Sequence, residues 1–448
     1  MTGSNIDTPT NFAGPKLIDI LFKPAFAFRQ FTLLALGGLL ALFGCLGSFA
    51  HAAEAKMLSI EQTLTQLEKA NRLIQSSKRL IDAAQADVRR ADVGPNPNVS
   101  VGAFNSIAKS YRYTELDQTI RIEQTFERGN KRALRIAAAQ EIVKATEADV
   151  IDITRQQKIV AASIYVDLML AQRSLALSQE NDSNFKRLLD GASKRLKAGD
   201  IASADVSRLS VEQSRATNEV RSSENNLLQA QFKLASLLAL EGNILLASDQ
   251  LPDLAFIAQQ TPALSLLANA IATEKAIANR SDLLAAQLRV RAAERALAIA
   301  KSQTTRDITL GAQTERAPSF GGRVFGLSAS VPLFTNNDYT GDILRAGTEL
   351  SIAEGDVLRI KAQIQYEIDA AYGQLNSAKD RLERLFNTTL PEVNKASQAI
   401  EYAYTRGAAN LTDLFDSRRQ FNAVLVETAA AQADYARALY VYKATIEG

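Results

Sequence analysis

Few side chains in this 448-residue chain are equipped for covalent or metal chemistry. The single histidine is His51 and the single cysteine is Cys45, so past Glu54 there is neither imidazole nor thiol. That excludes disulfides, Cys/His zinc sites, cysteine nucleophiles and Ser-His-Asp triads from everything that follows. Two thioethers, Met57 and Met169, remain there. With carboxylates alone beside them, soft or borderline divalent metals would be held weakly. Asp413 and Asp416 stand one helical turn apart, a spacing that permits acid–base work. No glycine-rich phosphate loop and no nucleophile–base pair accompanies them, so neither an enzyme nor a cofactor binder is expected. Lys plus Arg number 51 against 49 Asp plus Glu, a net charge of +2. Such a balance offers no basic field to nucleic acid.

The elements that hold these residues are mostly long helices. After Pro97 no proline occurs until Pro252, and between Asn130 and Glu241 the only glycines are Gly191 and Gly199. This stretch reads as a helical hairpin, 130–241, turning near Gly199. Its first helix, Lys131–Ala198, would be about 100 Å long, which no compact domain buries. The second carries a seam of Val206, Leu209, Gln213, Ala216, Val220, Ser223, Leu227, Ala230, Leu234 and Leu237 at alternating spacings of three and four. That is a heptad pattern, favouring coiled packing over an ordinary amphipathic helix.

Two segments alternate in period two, as strands do. They are Val99–Phe104 and Leu116–Phe126, with Arg121 and Glu123 on one face and Ile120 and Ile122 on the other. The pattern then recurs. Gly102-Ala103 matches Gly311-Ala312 at an offset of 209. Phe126 matches Phe334, and Gly199 with Asp205 matches Gly407 with Asp413, at an offset of 208. The seam also recurs, in Leu414, Phe421, Val424, Ala431, Tyr435, Ala438 and Tyr442. The chain therefore divides into a first repeat, 53–242 (leading helix Ile60–Asp92, β-hairpin 98–126, helical hairpin 130–241), a linker, 243–262, and a second repeat, 263–448. The second contains a helix Ser281–Ser302, a β-hairpin 306–334 and a helical hairpin 341–446.

Residues 1–52 read as a secretory signal peptide. Lys16, Lys23 and Arg29 precede an uncharged stretch from Gln30 to Ala53, and Ala50-His51-Ala52 supplies small residues for cleavage before Ala53. An uncleaved anchor remains open, because the stretch is long enough to span a bilayer. So does a lipoprotein box, Leu42-Phe43-Gly44-Cys45, with Cys45 as the acylated residue.

In the second repeat one strand face is apolar (Ile308, Leu310, Ala312; Phe325, Leu327, Ala329, Val331) and the other small and polar (Thr309, Gly311, Gln313; Gly326, Ser328, Ser330). Lipid outside and water inside fits this, and so does a soluble hairpin packed on helices. Strands in lipid must close, since an open edge leaves backbone groups unpaired. Four strands are about half of what the smallest membrane barrels use. A shared barrel, and hence an obligate oligomer, follows.

These residues resemble the TolC-like outer-membrane efflux proteins across the whole mature chain. The segment Ile120–Arg135, with Gly129 closely followed by Lys131 and Arg132, resembles the cobalt–zinc–cadmium resistance branch, where such a motif marks the passage from strand to long helix. The resemblance implies a mainly α fold with membrane β: a homotrimer with a 12-stranded β-barrel in the outer membrane, continued by a periplasmic α-helical barrel. It implies as partners a periplasmic adaptor, an inner-membrane resistance-nodulation-division pump and outer-membrane lipid. The cargo implied is a divalent heavy-metal cation, with organic toxics as the alternative. A periplasmic adaptor or coiled-coil scaffold explains the heptads but not the duplicated strand pairs.

The turns at Gly199 and Gly407 resemble the family's periplasmic tips. The resemblance makes Arg195, Lys197, Gly199, Arg406 and Gly407 adaptor-docking residues and Asp205, Tyr404, Asp413 and Asp416 aperture residues. In a trimer Asp413 and Asp416 would stack as carboxylate rings, and Asp205 and Tyr404 would bond across neighbouring hairpins. The first repeat departs from this, with Arg208 at the position matching Asp416. First-turn placement near the positive end of a helix dipole is the plainer role for all three carboxylates. Helix C-capping is the plainer role for the glycines.

Overall fold

A computed structural model describes residues 56–104, 117–242, 244–260, 266–317 and 322–447. The leader, with His51 and Cys45, lies outside the described residues, as does the connection 105–116. The chain opens with β1 (Lys56–Leu58), α1 (Ile60–Ala70), α2 (Arg72–Ala91) and the strand pair β2 (Asn98–Phe104) and β3 (Asp117–Phe126). A helical hairpin follows, α3 (Lys131–Lys197) and α4 (Ser203–Leu237). Then come β4 (Leu245–Ala247), α5 (Leu254–Gln260), α6 (Leu266–Asn279) and α7 (Ser281–Ser302). A second strand pair, β5 (Ile308–Ala317) and β6 (Gly322–Ser330), leads into α8 (Thr340–Arg384), a π-helical turn (Leu385–Thr389), α9 (Leu390–Thr405) and α10 (Leu411–Glu447).

The 67-residue α3 is about 100 Å long. It is stabilised by packing along its length against α4, α7, α2 and α10. On α4 the heptad positions Leu209, Ala216, Ser223 and Ala230 are buried at every seventh residue. Ser178 and Ser223 hydrogen-bond across the α3–α4 seam at 2.9 Å, so small polar residues pack there without an unpaired hydroxyl.

Three features depart from the sequence reading. The leading helix breaks at Asn71, and α6 and α7 break at Arg280, 209 positions later with the same backbone (φ −63°, ψ 124°). Asn71 Oδ1 caps α2 by accepting from the N–H groups of Leu73 and Ile74, and its Nδ2 donates to Leu237 O. Arg280 donates to Thr445 O, 208 positions beyond Leu237, and to the carboxylates of Asp282 and Glu367. Next, the long helix before Gly407 is interrupted by the π turn. Pro391 has no N–H to offer the carbonyl four residues back, and the turn widens, with Leu390 N–H bonding Leu385 O. Finally, within the linker 243–262 the described residues 244–260 carry a strand and a short helix. Its β4 pairs in parallel with β1, Lys56 to Leu245 through Leu58 to Ala247.

The other sheet has the antiparallel order β2-β3-β5-β6, with β3 and β5 joining the two strand pairs. Among the described residues, β2 and β6 each have one neighbour, so both outer edges carry unpaired backbone groups.

Candidate functional site

The strand register divides the four-stranded sheet into two walls. Val101, Ile120, Thr314 and Phe325 form one cross-strand row, and Val99, Ile122, Ala312 and Leu327 the next. This wall faces away from every other element: Leu327 is 92% exposed, Phe325 78% and Val101 77%. Large apolar side chains so bare are a surface for lipid. The opposite wall carries Ser100, Arg121, Gln313 and Gly326 in one row and Asn98, Glu123, Gly311 and Ser328 in the next. It is a water-facing wall, on which Thr125 and Thr309 share a hydrogen bond at 2.9 Å.

Where β3 passes into α3, the chain turns through Gly129 (φ +72°) and Asn130 (φ +62°), both left-handed. A Cβ at Gly129 would stand 2.8 Å from Thr305 Cβ and 3.2 Å from Ser302 O, so only glycine fits. Lys131 begins the helix, the wrong end of the dipole for a cation. It is nevertheless 4% exposed, because its Nζ donates to Asp307 Oδ1 at 2.8 Å. The same oxygen accepts the Arg128 N–H at 2.9 Å. Burial pushes the Asp307 carboxyl up, but the hydrogen bonds from Lys131 and Arg128 and the charges of Lys131 and Arg135 outweigh it and hold it below the usual carboxylate value. Arg135 grips Glu127 bidentately at 2.6 and 2.8 Å, lowering the carboxyl and raising the guanidinium. Arg132 reaches Asp92 at the end of α2. The motif residues Gly129, Lys131 and Arg132 thus sit in one charged joint that ties α2, β3, β5 and α3 together. The sequence pointed to these three residues; it hid Asp307, the partner of Lys131, and Asp92, the partner of Arg132, which lie up to 176 positions away.

The far ends of the helical hairpins carry the other candidates. Gly199 (φ +81°) and Gly407 (φ +78°) close matching turns. In each, the residue after glycine bonds back across six: Asp200 N–H to Arg195 O at 2.9 Å and Ala408 N–H to Ala403 O at 2.8 Å. The two turns are neighbours, with the Arg195 guanidinium 5.7 Å from the Tyr404 ring centroid and the Phe185 and Phe415 rings 6.3 Å apart. Arg419 on α10 bonds Glu212 on α4, and Arg418 bonds Glu401 on α9. Arg406 lies over Tyr402, and Lys197 is exposed. Asp205 and Asp413 both stand in the first turn of their helices, and Asn410 rather than Asp413 supplies the N-cap oxygen of α10. Asp413 and Asp416 are exposed on one helix, Asp416 3.9 Å from Arg419. Within the chain, Tyr404 meets Arg195 and not Asp205. Among the described residues no group of three or more His, Cys, Asp or Glu is placed to hold a metal ion.

Known proteins share this arrangement. The solved outer-membrane channel OprN superposes with a TM-score of 0.70 at 17% identity, covering 87% of this chain and 90% of its own. The transmembrane channel CusC gives 0.70 at 15%, covering 87% and 93%. Residues 272–440 match the outer membrane efflux protein family. Those residues carry an outer membrane efflux protein domain, and the fold is TolC-like. Among curated relatives, the cobalt-zinc-cadmium resistance protein CzcC of Cupriavidus metallidurans is 25% identical over 375 residues, 81% of this chain and 83% of that protein. A TolC-like efflux protein lies in the outer membrane with its long helices in the periplasm. The apolar wall of the sheet is then the lipid face. The family and its structural neighbours are channels rather than enzymes.

Proposed function

We propose that this chain forms the homotrimeric outer-membrane channel of a tripartite efflux system exporting divalent metal cations of the cobalt–zinc–cadmium type. The observation that carries it is the four-stranded sheet with one lipid wall, one water wall and two open edges. Three copies close those edges into twelve strands, and three sets of helical hairpins continue the tube. The similarity to CzcC supports metal cargo over organic toxics. Weak metal affinity suits a conduit, since a tight site would stall passage. Selection of the metal then rests with the inner-membrane pump and the adaptor.

The tips are the docking surface for a periplasmic adaptor, through Arg195, Lys197, Gly199, Arg406 and Gly407. Asp205, Tyr404, Asp413 and Asp416 line the closing aperture. A tip that must open favours polar contacts over packed apolar ones. The Arg195–Tyr404 and Arg419–Glu212 contacts, which bridge the two hairpins, fit that requirement. Replacing Asp205 or Tyr404 raises single-channel conductance in lipid bilayers under this reading; unchanged conductance in both variants removes them from the gate. Deletion of the gene, followed by growth tests on Zn, Co, Cd, Ni, Cu and organic toxics, tests the cargo. A strain sensitised only to organics rejects the metal assignment.

A further inference from the structure

The water wall of the sheet holds a polar network that no aperture or docking role accounts for. Arg121 Nε donates to Gln313 Oε1 at 3.0 Å, and its guanidinium lies 3.5 Å from Glu123. The network is laid flat against the wall by two glycines. Glu123 stands opposite Gly311, and Gln313 opposite Gly326. A Cβ at Gly311 would meet Glu123 Cγ at 3.1 Å, and one at Gly326 would meet Gln313 Cγ and Nε2 at 3.3 Å. Arg121 is therefore fixed in the wall by a planar acceptor and a carboxylate.

The register also turns Asp117 and Glu315 to this wall, and among the described residues neither makes an ion pair or side-chain hydrogen bond. The described wall thus carries three carboxylates against one guanidinium. We propose that Arg121, clamped by Gln313, sets the ion preference of the barrel lumen by cancelling Glu123. Asp117 and Glu315 are left as the net charge that favours small cations over anions. In a water-filled bore such fixed charges enrich small cations and deplete anions within a Debye length of the wall, about 10 Å at 0.1 M salt. The inference rests on the channel reading above and adds a specificity-determining residue to it.

The test is the reversal potential of the purified protein in planar bilayers under a KCl gradient. Wild type is expected to pass K⁺ in preference to Cl⁻. Arg121→Gln raises the cation-to-anion permeability ratio, Glu123→Gln lowers it, and the double variant returns toward wild type. Opposite shifts that cancel are not produced by a merely structural role. A wild type that prefers anions, an Arg121→Gln variant with an unchanged or lowered ratio, or a double variant that fails to return would each overturn the proposal. Should Arg121→Gln fail to insert, the sign of the Glu123→Gln shift decides alone. Asp413→Asn with Asp416→Asn, at the other end of the tube, separates lumen from aperture effects: the Arg121→Gln shift persists in that background. Absence of any wild-type conductance would instead sink the channel reading.

Discussion

The joint between sheet and helices offers a quantitative test through Lys131 and Asp307. The ammonium is 4% exposed and the carboxylate 28% exposed, 2.8 Å apart. Removing one partner of a fully buried pair costs about 3–5 kcal/mol, because the other charge stays buried and unmatched. The partial exposure of Asp307 lets water screen some of this, bringing the expected cost of Asp307→Asn to about 2 kcal/mol. The asparagine still accepts from the Arg128 N–H, so the change isolates charge. A local opening easier by that amount exposes the bonds after Arg128 and Arg132 to trypsin about 30-fold more often. The assay is the rate of cleavage at those two sites in the detergent-solubilised protein. Lys131→Met with Asp307→Asn, which removes both charges and keeps an acceptor for the Arg128 N–H, recovers most of the protection. The pH dependence follows from the depressed carboxyl. A group whose folded value lies below its unfolded value contributes fully above the unfolded value and loses that contribution as pH falls through the folded one. Protection of the wild-type joint therefore declines as pH falls from the ordinary carboxylate value through the depressed one, and declines less in Asp307→Asn, where the Glu127–Arg135 pair remains to be lost. Cleavage of Asp307→Asn at the wild-type rate, or a double variant as fragile as the single one, would refute the reasoning.

Gly129→Ala combines a left-handed backbone with a Cβ 2.8 Å from Thr305 Cβ, and is expected to lower the yield of folded protein in the outer-membrane fraction. Thr305→Gly should restore part of that yield, since it relieves the contact but not the backbone. At the two kinks, Arg280→Leu leaves the Glu367 and Asp282 carboxylates, 33% and 23% exposed, without their buried guanidinium, and after the same discount for water costs about 2–3 kcal/mol. Asn71→Ala loses a cap and one hydrogen bond, about 1–2 kcal/mol. Thermal midpoints should therefore fall further for Arg280→Leu, and the reverse order would contradict the account.

What could be read from the sequence is what repeats or alternates. The spacing of apolar residues marked the α4 seam, and Gly199 inside the long proline gap marked α3 to within a residue of its end. Period-two alternation assigned Arg121 and Glu123 to one wall and Ile120 and Ile122 to the other, as the register has them. The kinks at Asn71 and Arg280 were not legible, because neither residue breaks a helix by itself. Each is held by a carbonyl more than 160 positions away. The β1–β4 pair was hidden for the same reason, since three-residue strands leave no period to read. Pro391 was a visible signal for the π turn that the long apolar pattern around it masked.

The distribution of buried surface separates two sources of stability. The apolar clusters draw on the helices and on the β1 and β4 strands, around Leu67, Tyr165 and Leu234 in one and Ile364, Ile368 and Tyr435 in another. Among the described residues none of β2, β3, β5 or β6 belongs to them. Those four strands expose one wall to lipid and the other to water, and their outer edges offer backbone groups to a neighbour. A chain alone in the periplasm can therefore bury its helical seams but gains little from its sheet. The sheet becomes favourable when lipid covers one wall and other copies cover the edges, two conditions met together only in the membrane. The charged joint at Gly129–Arg135 lies where these regimes meet, and its ion pairs hold the strands to the helices without calling on an apolar core that neither side can supply.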